Sequence, residues 1–151
     1  MNNIHYFAYG LNTNLDSMFR RCPGAEPLGC AALPDYEFRF ATHADVIESP
    51  GKQVDGVLWR ISDLHLQSLD DLEGYPTYYD RKFVMVEHQG TPVQALVYYM
   101  APGISNALPP DSYLQMVIEG YWQNSVPRSQ IYSALSTLGY QGMAYEPHRN
   151  Y

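Results

Sequence analysis

Leu69-Asp70-Asp71-Leu72-Glu73-Gly74-Tyr75-Pro76 closes a helix and, with it, sets the reading of the chain. The spacing predicts a helix over Asp63 to Leu72. Leu64, Leu69 and Leu72 recur at helical intervals, with Leu66 as an extra apolar position. Ser62 is a good N-cap, because its hydroxyl can accept a bond from a backbone N–H of the first turn. Gly74 stops the helix, since glycine adopts the left-handed conformation cheaply. Pro76 then forbids continuation. Glu73 falls at the C-terminal end, where the helix dipole is negative. That field, together with Asp70 and Asp71 nearby, should raise its pKa. A raised carboxylate pKa suits a group that must take and give a proton near neutral pH. Taken alone, the segment describes a solvated helix-end glutamate more often than a reactive one.

Outward from this helix the chain is mostly strand. Val54 to Ile61 precedes it, with Gly56 inside; a glycine there suggests a bulge or a close approach to the backbone. Tyr78 to His88 and Pro92 to Tyr99 follow it as a hairpin across Gln89-Gly90-Thr91. Leu28 to Leu33 and Tyr36 to Ala41 read as two strands joined at Pro34-Asp35, the second alternating with the period of a half-buried strand. Thr42 to Gln53 reads as a loop, with Ser49-Pro50-Gly51 as its turn. The chain opens on a short aromatic strand, His5 to Tyr9, broken by Gly10-Leu11-Asn12-Thr13-Asn14. A helix then runs from Asn14 or Asp16 to Arg21. At the other end, Ala101 to Pro110 is a loop and Asp111 caps a helix to about Gln123. Ser125 or Pro127 starts another helix that ends at Gly139, and an irregular tail follows Tyr140. Strands with inserted helices make an α+β fold, one curved sheet or a small barrel. No repeat, linker or low-complexity tract divides the chain, so 1–151 reads as a single domain.

Composition narrows the function classes. A net charge of -7 with nine Lys and Arg repels phosphate, which disfavours nucleic acid and anionic membranes. Two cysteines, Cys22 and Cys30, form neither a disulfide framework nor a zinc set, so a reducing, cytoplasmic compartment is expected. Met1 to His5 has no signal-peptide pattern, and no apolar run approaches the roughly 18 residues of a membrane span. The five histidines (5, 43, 65, 88 and 148) show no metal-ligand spacing. Gly-x-Ser-x-Gly elbows and cofactor glycine fingerprints are also missing. An enzyme built from this sequence is expected to work without metal or cofactor, through a carboxylate and backbone donors.

The strand–glycine turn–helix at Tyr9 to Arg21 offers such donors. Free N–H groups of the turn and the helix start are expected to converge on one spot that suits a carboxylate or oxyanion. A plain strand-to-helix connection has the same appearance.

Two stretches together resemble one family. Tyr6-Phe7-Ala8-Tyr9-Gly10-Leu11-Asn12 is similar to the Tyr-Gly-Ser-Asn opening of the γ-glutamylcyclotransferase-like family, which includes the AIG2-like proteins. Gly56-Val57-Leu58-Trp59 followed by Leu69-Asp70-Asp71-Leu72-Glu73-Gly74-Tyr75 resembles its second signature, and the resemblance spans nearly the whole chain. It implies a small closed or nearly closed mixed β-barrel with flanking helices. It places a general acid/base on Glu73 and a substrate-binding turn on Tyr9, Gly10, Leu11 and Asn12. Pocket tyrosines fall on Tyr79 or Tyr78, Tyr98 or Tyr99, and Tyr113. Leu11 stands where the family has Ser, which removes a hydroxyl and changes pocket shape. The implied activity is a γ-glutamyl or γ-glutamylamine cyclotransferase, releasing 5-oxoproline and a free amine from a small γ-glutamyl substrate. Two alternatives stay open: an idle member that binds an amino-acid-like ligand or a protein partner, and an enzyme that hydrolyses or transfers a related amide. The acceptor and the oligomeric state are not written in the sequence.

Overall fold

A computed structural model describes residues 3–140; the tail expected after Tyr140 lies outside them. The chain runs β1 (Ile4–Ala8), a 3₁₀ turn (Leu11–Thr13), α1 (Leu15–Arg21), β2 (Glu26–Ala41), β3 (His43–Ile61), α2 (Asp63–Glu73), β4 (Tyr79–His88), β5 (Thr91–Met100), α3 (Asp111–Gln123) and α4 (Ser129–Thr137). The five strands close into a barrel in the order β1-β3-β2-β4-β5. Neighbours are antiparallel except β1 and β5, which meet in parallel at Tyr6 and Leu96. The fold is therefore a closed mixed β-barrel with flanking helices.

Burial shows how the barrel is covered. Consecutive residues Val57, Leu58 and Trp59 are all fully buried. Side chains alternate between the two faces of a strand, so this end of β3 is covered on both. The Phe19 ring of α1 packs edge-on against Trp59 at 5.9 Å between centroids. Gly56 confirms the close approach that its position suggests. A Cβ there would lie against the Ala8 carbonyl oxygen and 2.7 Å from the Phe7 ring.

The structure corrects several expectations, three of them about strands and the α2 face. Thr42 to Gln53 is not a loop but the first half of β3. Its residues pair with β2 from Ala41 opposite His43 to Tyr36 opposite Glu48, and Thr42 alone turns the chain, at φ 67°. Polar residues hid this ribbon. Asp45 looks like a loop residue yet is 1% exposed, held by Arg39 at 2.8 Å and accepting from the Met100 N–H at 2.9 Å. Pro34-Asp35 is likewise no turn between strands but a bulge within β2. Asp35 takes φ 64° and its carboxylate accepts from the Gly51 N–H at 3.0 Å, with Ser49-Pro50-Gly51 as the other side of the irregularity.

The third correction concerns α2. Its caps are as expected: Ser62 accepts from the His65 N–H, and Gly74 is left-handed at φ 66°. Its apolar face is not. Leu64 is 75% exposed and Leu72 41%, whereas Leu69 is fully buried and Leu66 packs on the core. The inward stripe is thus Leu66, Leu69 and then Glu73, at intervals of three and four residues. At α3, Asp111 is the first helical residue rather than the cap, which is Pro110. Helix α4 starts at Ser129, after Arg128 at the cap position.

Candidate active site

A cavity of about 160 Å³ opens at one end of the barrel. Glu73 lines it from the end of α2, and Gly10, Leu11 and Asn12 line it from the turn after β1. Tyr9, Tyr79, Tyr98 and Tyr113 complete the set expected from the sequence, and all of them face this one space. Tyr6, His43, Ala44, Leu72 and Tyr78 also contribute.

Glycine at position 10 is a packing requirement. A Cβ there would stand 2.9 Å from the Ala44 Cβ and 3.0 Å from the Tyr113 hydroxyl. The next residues form a single 3₁₀ turn, closed by the Thr13 N–H donating to the Gly10 carbonyl at 3.1 Å. The Leu11 and Asn12 N–H groups precede that first bond and have no acceptor within the turn. The start of α1 does not join them, contrary to expectation. Asn14 caps the Ser17 N–H at 3.1 Å, and the Gln123 side chain accepts from the Leu15 N–H at 2.7 Å. Within the turn, the Leu11 N–H is directed at the Tyr113 hydroxyl oxygen, so the Asn12 N–H is the amide left to serve a ligand.

Glu73 is pushed up to about 7 because its carboxylate is buried; Arg21 opposes the shift. Burial, rather than the aspartates named from the sequence, is the cause. Asp71 is exposed, and Asp70 is occupied by the Tyr98 hydroxyl at 2.7 Å and by Arg81 at 3.0 Å. Glu73 accepts from the Asn12 side-chain amide, at 3.4 Å. The same NH₂ donates to the Tyr6 hydroxyl at 3.0 Å. Arg21 donates to the Asn12 amide oxygen at 2.9 Å, which leaves the nitrogen to face Glu73. Arg21→Met is expected to move the Glu73 pKa further upward, since it removes a cation that favours the charged form. Carbon-13 NMR titration of the Glu73 carboxyl checks this; a downward or absent shift would contradict it.

The tyrosines present rings more than free hydroxyls. Tyr9 donates to the Tyr98 carbonyl and Tyr79 to the Ala44 carbonyl, each at 2.6 Å. The Tyr113 hydroxyl accepts from the Ala44 N–H at 2.9 Å. Burial raises the pKa of all four of Tyr9, Tyr79, Tyr98 and Tyr113, so they stay neutral at pH 7. Tyr98 rather than Tyr99 faces the cavity; the Tyr99 hydroxyl meets Asp80 at 3.3 Å, and Lys82 lies over its ring. Both Tyr78 and Tyr79 line the space, with Tyr79 buried and Tyr78 at 40% exposure.

Residues 6–124 match the family described as gamma-glutamyl cyclotransferase, AIG2-like. The chain belongs to this family. The human gamma-glutamylcyclotransferase is 27% identical, covering 81% of this chain and 72% of its own, and the mouse protein is also 27% identical, over 82% and 72%. Among solved structures, a gamma-glutamyl cyclotransferase superposes with a TM-score of 0.78 at 27% identity, over 87% of this chain and 86% of that one. YkqA from Bacillus subtilis gives 0.78 at 26% identity, over 94% of this chain and 57% of its own.

Against the family pattern, the residues missed from the sequence are instructive. His43 and Ala44 sit at the tip of the β2–β3 ribbon, which reads as loop until the Phe38–Val46 pairing is recognised. Leu72 reads as helix core but stands at the cavity mouth. Tyr6 lies within the Tyr6–Asn12 motif, but its strand position alone does not set it apart from the core residues around it. No helix among the described residues is long and apolar enough to cross a membrane. Leu11, the departure from the family serine, is half-buried on the cavity wall. Leu11→Ser is expected to leave the melting temperature nearly unchanged while altering relative rates among substrates. Thermal melts beside a substrate panel check this, and a large fall in melting temperature would place Leu11 in the core instead.

Proposed function

We propose that this chain is a cofactor-free γ-glutamyl or γ-glutamylamine cyclotransferase, acting as one domain, with Glu73 as its general acid/base. One observation carries the reading: a carboxylate raised to about 7 shares a small cavity with the turn that holds Leu11 and Asn12. The cavity falls below the roughly 300–1,000 Å³ of sites that enclose drug-sized ligands, so it suits the glutamyl end alone. The α-carboxylate takes the Asn12 N–H, and the α-ammonium faces Glu73. Glu73 near pH 7 is partly ionised and removes a proton from the ammonium. The freed amine attacks its own γ-carbonyl, forming a C–N bond in a five-membered ring. As the tetrahedral centre collapses, the bond to the leaving nitrogen breaks. Two protons leave the α-nitrogen and two arrive on the departing amine, carried in turn by Glu73. The products are 5-oxoproline and an ammonium ion, and Glu73 ends as it began. Because the attack is intramolecular, holding the glutamyl chain folded supplies much of the acceleration. The unpaired thiols Cys22 and Cys30 support a reducing, cytoplasmic setting.

The test is a panel of γ-glutamyl dipeptides and γ-glutamyl amines, with 5-oxoproline and glutamate both quantified. 5-Oxoproline formed in step with free amine is the expected result. Glutamate instead would identify a hydrolase, and no product from any substrate would leave a binding role.

A further inference from the structure

We infer that the mouth of this cavity is a leaving-group subsite for an uncharged, apolar amine, so that γ-glutamyl alkylamines are better substrates than γ-glutamyl dipeptides. The inference rests on the cyclotransferase reading above and specifies what departs. With the glutamyl end filling the cavity, the leaving group must lie against its rim. That rim is Leu72, Tyr78, Leu11 and His43. Leu72 and Tyr78 are 41% and 40% exposed, so apolar surface of both lies open where the cavity meets solvent. The polar groups of the rim meet each other: His43 Nδ1 lies 2.8 Å from the Tyr78 hydroxyl, and neither group carries a charge that would hold a carboxylate. Burial lowers the His43 pKa, so its ring is neutral at pH 7.

A dipeptide's leaving group is an amino acid, and its carboxylate is best held by a cation. None is offered. Among the described residues that line the cavity there is no Lys or Arg. The two arginines tied to the site are engaged elsewhere, Arg21 on Asn12, and Arg81 on Asp70 and over the Tyr75 ring at 4.2 Å. The hydroxyls of Tyr9, Tyr79 and Tyr98 are committed to internal acceptors. The Asn12 N–H is taken by the glutamyl α-carboxylate. A second carboxylate would therefore sit without a counter-ion beside Leu72 and face Glu73, a like charge. An alkyl chain would instead cover Leu72 and the Tyr78 ring.

A matched pair tests this: γ-glutamyl-3-methylbutylamide and γ-glutamyl-leucine share a carbon skeleton and differ by the carboxylate alone. Leucine is the less basic amine and the better leaving group in solution, so any preference for the amide comes from the site. The expected result is a kcat/KM for the amide roughly tenfold or more above that for the dipeptide. γ-Glutamyl-methylamide, lacking the apolar chain, should fall below the longer amide. Leu72→Lys should narrow the ratio by supplying the missing cation, and a ratio left unchanged would overturn the assignment of the rim. Equal or faster turnover of γ-glutamyl-leucine, with 5-oxoproline still formed, would overturn the inference and leave the cyclotransferase reading standing. Absence of 5-oxoproline from all three substrates would overturn that reading, and the inference with it.

Discussion

Glu73→Gln is expected to lower 5-oxoproline release by about two to four orders of magnitude, the usual worth of general acid–base catalysis. Glutamine preserves the shape of the side chain and its reach to the Asn12 amide. It cannot take a proton from an ammonium, so the attacking nitrogen stays charged and unreactive. In the wild type, activity should fall as pH drops through about 7, because the protonated carboxyl is no base. Stability should move the other way. Folding raises this pKa from 4.5 to about 7, so the folded chain holds the proton more tightly than the unfolded one. Between those values stability declines as pH rises, and above the upper value the full cost is present. Removing the charge should therefore make the Gln variant melt higher than wild type at pH 8, with little difference at pH 4. Melts across that range and rates on a γ-glutamyl substrate check both halves. Full activity in the variant would refute Glu73 as the base, and a variant that melts lower at pH 8 would refute the burial argument.

Gly120→Ala should damage both fold and turnover. Alanine is about 1 kcal/mol better than glycine inside a helix, so propensity alone predicts a gain. Position 120 reverses it. A Cβ there would lie on the Thr13 hydroxyl, 2.6 Å from the Asn14 nitrogen and 2.7 Å from the Thr13 carbonyl carbon. Two of these are backbone atoms that no rotamer change can clear, so α3 must lift from the turn. Overpacking of this kind typically costs about 1–3 kcal/mol. The same face of α3 holds the site in register: Asn124 donates to the Thr13 carbonyl at 2.8 Å and Tyr121 to the Tyr9 carbonyl at 2.6 Å. A displacement near 1 Å at the turn is enough to cost on the order of a hundredfold in rate. A lower melting temperature with kcat/KM reduced by about that factor is expected; a higher melting temperature with normal kinetics would show that α3 does not position the turn.

What could be read from the sequence was whatever depended on neighbours in the chain. The capping of α2 by Ser62 and Gly74 is local, and the helix stops where these residues say. The turn at Gly10 and the hairpin at Gly90 are local too. The position of Glu73 was legible, but the cause of its perturbation was not. A helix end and two aspartates are visible in sequence, whereas burial against Tyr6 and Asn12 depends on residues about 60 positions away. Pairing misled most where polar residues sit in strands. Asp45 is buried because Arg39 and the Met100 N–H meet it; Arg39 comes near only through the reversal at Thr42, and Met100 is 55 residues away. Leu64 and Leu72 read as core through their spacing alone; which side of a helix faces inward is decided by the barrel it lands on.

The parallel junction of β1 with β5 has a kinetic consequence. Residues 4–8 are synthesised well before their strand partners, which lie in 57–61 and at Leu96. Tyr9, next to that strand, is bonded to the Tyr98 carbonyl and, through its own carbonyl, to Tyr121. Each of these contacts closes a long loop, whose entropy must be met before the contact repays it. Barrel closure, the cavity and the environment of Glu73 are thus one late event, completed only when α3 has emerged. Truncation before Tyr121 should yield a chain with a helix and a ribbon but no perturbed carboxylate.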